Sequence, residues 1–398
     1  MASVLKKVSP HREEWGFLMR RWVKTSSSLA VSAESGMLSR FLPEATTSKV
    51  YIDMGPGYGV QYINTLVVPT SSTTSAQQQQ GGGAPTTRET AVVLTHGFGG
   101  GSALFYHCLK DLRHKCDHLF AIDWLGMGLS SRPTSGLIRG RGYPQRPFFT
   151  RRGAEDVSDE CVDFFVQSLE LWREAMGIAK LQLVGHSLGG YLSAKYALKH
   201  PDRVDKLVLV SPVGVPDVPK DRKDAPEWVK RSPYFTSAIR ALWSLNVTPQ
   251  SVVRFAGPWG QDMIRRAIRR RFNRISHENQ PRRLDDEDCD CLSDYLYHIT
   301  VDRPSGEFAL NALLMPVTHA EHAGIYARRP LAPNLADLKV PVTLIYGDRD
   351  WMFHPQVHDL VEEHSHKASL SFVRDAGHHV YFDNPKEFNA ELTRILGF

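Results

Sequence analysis

A serine stands between two glycines in Gly185-His186-Ser187-Leu188-Gly189, where the apolar run LQLV gives way to a helical pattern. G-x-S-x-G between a strand and a helix describes a turn tight enough to want glycine on both sides, and it pushes the serine oxygen out at the helix start. There the Leu188 N–H can face an oxygen that gains negative charge, which is the chemistry of attack on a carbonyl carbon. The alternative is that Gly185 and Gly189 only let strand and helix pack closely.

A serine hydroxyl needs a base, and behind such a turn the expected chain order is nucleophile, acid, histidine. The strand-like VTLIYGDRDW supplies Asp348 and Asp350. The usual G-x-x-D spacing from Gly347 selects Asp350 as the orienting acid, with Asp348 as second choice. SFVRDAGHHVYFDNP follows another strand and places His378 where a general base would return to the serine, with His379 expected to point elsewhere. A second oxyanion donor is expected in HGFGG after the buried strand AVVLT, where Gly97 gives the turn and the Phe98 N–H is the candidate.

These residues need a scaffold that brings distant loops to one place. Strand signals (VQYINTLVVP, AVVLTHG, HLFAIDW, LQLVGHS, KLVLVSP, VTLIYGD, LSFVRDAGH) alternate with helical ones. Short, apolar, branched-rich strands separated by helices predict a mostly parallel α/β sheet covered on both faces. The alternation breaks from about Val213 to Leu335, which reads as an inserted helical cap or lid. TSSTTSAQQQQGGGAPTTRET is polar and low in complexity, so residues 70–90 read as a disordered insertion between two strands.

Two segments suggest contact with a lipid surface. Near the N-terminus Trp15, Leu18, Met19, Trp22 and Val23 recur at helical spacing among Arg12, Arg20, Arg21 and Lys24, which fits either an interfacial helix or one docked on the domain. A mitochondrial transit peptide fits less well because of Glu13 and Glu14. In the cap, GPWGQDMIRRAIRRRFNRI sets Ile264, Ile268, Phe272 and Ile275 on one stripe with Arg265, Arg266, Arg269, Arg270 and Arg274 around it. Arg265, Arg266, Arg269 and Arg270 are thus candidate phosphate contacts, against the alternative of a solvated basic face.

Composition narrows the classes further. Of 398 residues, 42% are hydrophobic and 23% charged, with net charge +5, which suits a globular chain and an anionic partner without demanding one. No nucleic-acid module is visible. Five scattered cysteines favour a reducing compartment, and Cys289 and Cys291 lack metal-ligand spacing, so no cofactor or metal is implied. With no run of about 18 apolar residues, any membrane contact is expected to be peripheral.

The sequence resembles the α/β-hydrolase superfamily and, more narrowly, its abhydrolase-domain 4/5 subfamily of lipase coactivators, N-acyl phospholipid lipases and plant and fungal lipid acyl hydrolases. The resemblance is carried by AESGMLSRFLP, HGFGGGSALFYHCLKDL, DWLGMGLSSRP, the stretch from GHSLGG to VSPVGVP, AGPWG, YGDRDWM and AGHHVYFDNPKEFN. It implies a serine-dependent acyl hydrolase of phospholipase or lysophospholipase type in phospholipid metabolism and lipid homeostasis. The coactivator branch carries asparagine at the elbow, so Ser187 argues for an enzyme; the alternative is a non-enzymatic lipase coactivator or lipid-droplet adaptor. An epoxide hydrolase of this fold would need aspartate there. The family's H-x4-D, here His378 to Asp383, is linked with acyl transfer to lysophosphatidic acid. An acyl-enzyme can pass its acyl group to an alcohol without a second motif. Asp383 also suits a structural place beside Asn384, Pro385 and Glu387, which read as the cap and first turn of the last helix.

The expected organisation is an N-terminal amphipathic segment (1–50), a first core part (51–212), the cap (213–335) and a second core part (336–398). A cytoplasmic protein on membranes or lipid droplets is expected, with a mitochondrial address as the alternative; substrate head group, acyl acceptor and oligomeric state are left open.

Overall fold

The structure is a computed structural model that describes residues 22–70, 88–133, 151–218, 237–238, 241–243, 245–273, 284–317 and 324–398. Its strands are β1 (Thr46–Asp53), β2 (Val60–Val68), β3 (Arg88–Thr95), β4 (Leu119–Ile122), β5 (Ile178–His186), β6 (Val204–Val210), β7 (Leu314–Val317), β8 (Gly324–Ala327), β9 (Val342–Gly347) and β10 (Ala368–Val373). Eight of them form one sheet in the order β1-β2-β4-β3-β5-β6-β9-β10. From β4 to β10 all neighbours run parallel, and β1 and β2 add an antiparallel edge.

The parallel strands are apolar on both faces because both faces are covered. Ala91 and Val93 of β3 join one core with Leu181 and Leu183 of β5, whereas Val92 and Leu94 join a second core with Val184. Helices α1 (Ser27–Phe41), α2 (Arg151–Ala175), α3 (Leu188–Lys199), α4 (Pro249–Phe255), α5 (Gly260–Asn273), α6 (Asp286–Val301) and α7 (Pro385–Leu396) supply most of the remaining packing. Phe165, Leu169 and Trp172 of α2 and Leu192 of α3 fill the first core; Met37 of α1 and Phe388 and Leu392 of α7 fill the second. This period-two split is the signature of a strand buried on both sides.

Between β6 and β9 the chain is mainly helical, with α4, α5, α6 and the small β7–β8 pair. A buried ion pair between Arg254 of α4 and Glu307 helps hold this segment together. Two expectations shift. The boundary at residues 50 and 51 falls inside β1, whose Val50 and Tyr51 pair with Ile63 and Tyr62 of β2. Of the insertion expected over 70–90, residues 71–87 lie outside the described residues, while Arg88–Thr90 belong to β3 because Arg88 and Thr90 pair with Ile178 and Lys180. Thr70 is buried too, its hydroxyl donating to the Asp117 carbonyl at 2.7 Å. Of the N-terminal stripe, only Trp22 and Val23 are described; Arg274 and Ile275 of the cap stripe also lie outside.

Three of the sequence motifs meet in a buried polar network under the β3 loop. Asp123 accepts from the Ser102 N–H (2.7 Å), the Leu129 N–H (2.8 Å) and Asn64 Nδ2 (3.0 Å), and Asn64 Nδ2 also reaches Glu34 Oε1 at 3.1 Å. Burial and the nearby Asp123 charge push the Glu34 carboxyl well above its ordinary value, outweighing Asn64. Folded Glu34 therefore keeps a proton that the unfolded chain releases. That difference destabilises the fold as pH rises above the ordinary carboxyl value, the reverse of a salt-bridged acid. Glu34→Gln keeps the acceptor for Asn64 and removes the titration. Melting curves are expected to show the variant gaining on wild type between pH 5 and pH 8, by about 1 °C per kcal/mol recovered in a chain of this size, with the gap closing toward pH 4.5.

Candidate active site

Ser187, Asp350 and His378 follow the carboxyl ends of β5, β9 and β10, and the glycine loop follows β3, so parallel pairing alone delivers all four to one end of the sheet. Ser187 is the point of highest backbone strain in this group, with φ 54° and ψ −117°. Two contacts make that conformation the way out of the strand. A methyl group on Gly185 would come within 2.6 Å of the Gly189 carbonyl oxygen, and one on Gly189 within 2.5 Å of the His96 carbonyl oxygen. The Ser187 N–H donates to Val210 O of β6 at 2.9 Å, pinning the turn to the sheet.

His378 Nε2 lies 3.0 Å from Ser187 Oγ, and His378 Nδ1 lies 3.1 Å from Asp350 Oδ1. The Asp350 side chain is fully buried, and Oδ1 also accepts the Met352 N–H at 2.9 Å. Burial alone would raise the Asp350 carboxyl, but the His378 hydrogen bond and charge, with Met352, hold it below its ordinary value. An ionised Asp350 accepting from Nδ1–H leaves Nε2 free to accept the serine proton. Asp348 is occupied elsewhere: its carboxylate accepts the N–H groups of Asp375 (3.0 Å) and Ala376 (3.1 Å) and braces the loop before His378.

Leu188 opens α3, so its N–H is among those of the first turn that no residue of the helix can satisfy. Phe98 and Gly97 line the same cavity, and a methyl group on Gly97 would approach Ser187 Cβ to 2.9 Å. The loop carrying them is held by DWLGMGLSS. Trp124 donates its backbone N–H to His96 Nε2 and its indole N–H to the His96 carbonyl, both at 3.1 Å.

The cavity has a volume of about 530 Å³ and is lined by Ser187 and His378 together with apolar cap and core residues such as Ile268, Phe272, Leu296, Leu310 and Met352. His379, expected to point elsewhere, lines it as well. It makes no pair with Ser187 and stays neutral, because burial, then the charges of His378 and Arg271, press its pKa down to about 3.

Arg265, Arg266, Arg269 and Arg270 do not line the cavity. Arg265 and Arg269 pair with Asp290 of α6 at 3.1 and 3.0 Å, Arg266 Nε donates to the Asp262 carbonyl of its own helix, and Arg270 is exposed. The helix turns these four away from the apolar stripe and carries Arg271 beside Phe272 to the cavity instead. Arg271 Nη2 donates to both carboxylate oxygens of Asp383, at 2.7 and 2.8 Å. Asp383 is buried, and its Oδ2 also accepts the N–H of Gly377, the residue before His378, at 2.8 Å. Asn384 caps α7, accepting from the Glu387 N–H at 3.3 Å.

Sequence reasoning also overlooked His186. Its Nε2 donates to the His378 carbonyl at 2.9 Å, tying the elbow to the histidine loop, and burial keeps it neutral, well below its ordinary pKa. Nothing in G-x-S-x-G marks that residue. Arg271 did carry a signal, since it follows Ile264 and Ile268 at i+7 and i+3 on the apolar stripe. Among the described residues no three His, Cys, Asp or Glu side chains gather as metal ligands.

Comparison with known proteins agrees with the fold. A family model described as alpha/beta hydrolase fold matches residues 90–385. A probable 1-acylglycerol-3-phosphate O-acyltransferase of Oryza sativa subsp. japonica is 31% identical over 94% of this chain and 82% of its own length. A (lyso)-N-acylphosphatidylethanolamine lipase of Bos taurus is 37% identical over 77% of this chain and 79% of its own. A crystal structure of a bacterial membrane phospholipase A superposes with a TM-score of 0.54 at 18% identity, covering 93% of this chain and 90% of that one, a likeness of fold.

The elbow contacts make a direct prediction. Gly189→Ala forces its new methyl group against the His96 carbonyl and is expected to destabilise the fold by about 1–3 kcal/mol. Denaturant titration beside Ser193→Ala, one turn further along α3, checks that the larger loss belongs to Gly189.

Proposed function

Because the chain belongs to the alpha/beta hydrolase fold family, within it to the abhydrolase-domain 4/5 group, we propose that it is a serine-dependent acyl hydrolase of phospholipid-type esters. The observation that carries this reading is the continuous hydrogen-bonded line Ser187–His378–Asp350 opening into an apolar cavity. His378 takes the hydroxyl proton as Ser187 Oγ bonds to the ester carbonyl carbon, and the Leu188 and Phe98 N–H groups hold the resulting oxyanion. Collapse breaks the ester C–O bond, and His378 returns the proton to the departing alcohol. Water then attacks the acyl-serine through the same base, releasing fatty acid and restoring Ser187. A lysophospholipid hydroxyl in place of water makes the step an acyl transfer, with every earlier step shared. The names of the relatives, a lipase and an acyltransferase, correspond to these two branches.

The substrate arrives from a surface, and the cap carries a face suited to one. Trp259 is 65% exposed and Phe255 71%, with Trp22, Val252 and Met263 exposed beside them. Trp22 is fixed there by its indole N–H, which donates to the Phe255 carbonyl at 3.1 Å, and by an edge-on contact with Trp259 at 6.3 Å. Met263, Arg266 and Arg270 share one exposed face of α5 by their spacing. Exposed aromatics beside arginines suit an anionic lipid interface. Among the described residues no helix is long and apolar enough to cross a membrane, so the reading is peripheral attachment.

Fatty-acid release from phosphatidylethanolamine and N-acyl phosphatidylethanolamine vesicles containing anionic lipid is expected from wild type and absent from Ser187→Ala, whose vesicle binding is retained. Trp259→Ser is expected to weaken vesicle sedimentation severalfold and to slow release only on vesicles, not on a short soluble ester. Equal release by Ser187→Ala sinks the hydrolase reading, and binding without release by wild type favours the adaptor.

A further inference from the structure

Arg271 is the one permanently charged side chain among the described residues that line the cavity of Ser187. Its surroundings differ from those of an ordinary cap-to-core salt bridge. One nitrogen, Nη2, serves both oxygens of Asp383. Nη1 and Nε have no other protein acceptor among the described residues. The Arg271 side chain keeps 35% exposure, whereas Asp383 keeps 3%. The carboxylate is therefore a buried anchor, also held by the Gly377 N–H, and the guanidinium is a partly open group on the cavity wall. A guanidinium oriented through one nitrogen still offers a fork of N–H donors, the geometry that matches phosphate oxygens in pairs.

The other titratable groups near Arg271 set the charge a ligand would meet. His379 is neutral, with its pKa pressed to about 3, and His378 serves Ser187 and Asp350. Most of the remaining wall is apolar: Ile268 and Phe272 are on the arginine's own helix, and Leu292 and Leu296 of α6 also line it. A phosphate placed there exchanges water for Arg271, while the acyl chain meets the aliphatic wall.

From this geometry we infer that Arg271 is the specificity-determining residue for a phosphate-bearing head group, and that Asp383 positions Arg271 rather than acting on the acyl group. The inference rests on the serine-hydrolase reading above and assigns its substrate side. It also gives the His378-to-Asp383 spacing a physical meaning: Asp383 fixes both the arginine and the backbone just before the base. Arg265, Arg266, Arg269 and Arg270 are left to the outer surface of α5.

The test uses two substrates that differ only in the phosphate: a 1-monoacylglycerol and the corresponding 1-acylglycerol 3-phosphate, each below its aggregation limit. The quantity read is the ratio of kcat/KM for the phosphate to that for the neutral ester, in wild type, Arg271→Gln, Arg271→Lys and Asp383→Asn, with melting temperatures run alongside. Wild type is expected to prefer the phosphate. Arg271→Gln is expected to lower the ratio on the order of 10- to 100-fold, chiefly through KM for the phosphate. Arg271→Lys, which keeps the charge without the fork, is expected to retain part of it even if the Gln variant is unstable, and Asp383→Asn to fall between wild type and Arg271→Gln. No phosphate preference in wild type, or a ratio unchanged in the folded Arg271 variants, overturns the inference and leaves the pair a structural clasp. Hydrolysis of the neutral ester by wild type but not Ser187→Ala shows, in the same assay, that the serine reading stands apart from that result.

Discussion

His378 is held from three directions, and the rest of the C-terminal half is arranged around that restraint. Its ring bridges Ser187 and Asp350, its carbonyl accepts from His186 at 2.9 Å, and the N–H just before it is bound by Asp383 at 2.8 Å. A histidine free to turn about its side-chain torsions would lose the alignment that proton transfer needs. The positive φ of Ser187, the braced loop of Asp348 and the buried acid of Asp350 each remove one of those freedoms. Precision of placement is thus drawn from the sheet, whose parallel strands end together, and only then from side chains.

Burial keeps that centre simple electrostatically. His96, His186 and His379 are all held below their ordinary pKa chiefly by loss of water, so the region around the serine contains several imidazoles and little positive charge. Neutral rings act there as fixed donors and acceptors: His96 Nε2 accepts from Trp124 while its Nδ1 donates to the Gly97 carbonyl at 2.8 Å. Permanent charge enters at Arg271 of α5, matched by the Asp383 carboxylate just before α7. The helical segment between β6 and β9 therefore meets the C-terminal part of the chain at the charged edge of an apolar cavity, a place suited to an amphiphile with a polar head.

Much of this was legible because it depends on local pattern. Runs such as VVLT and LVLV, short and rich in branched residues, read as strands with both faces covered, and the alternation with helices set the parallel sheet. The edge strand TTSKVYID was not, since it is largely exposed and forms by pairing with β2 rather than by burying apolar residues. Within the site, loop positions after strands could be read from glycine spacing. The choice between Asp350 and Asp348 has its physical reason only in three dimensions, where Asp348 is consumed by two backbone N–H groups. His186 shows no sequence signal because its role is a bond to a backbone carbonyl 192 residues away. In α5 the arginines were legible as a set, but which one faces the cavity depends on how the helix seats against α6 and the core.

The central claim is that His378 activates Ser187. The most direct measurement is the second-order rate of irreversible modification by a fluorophosphonate, with the modified residue located by peptide mass, in wild type, His378→Ala and Asp350→Asn. The account predicts modification at Ser187, slowed roughly 10²- to 10⁴-fold in His378→Ala and less in Asp350→Asn. Modification of folded His378→Ala at the wild-type rate, or a wild-type protein that does not react, would contradict it.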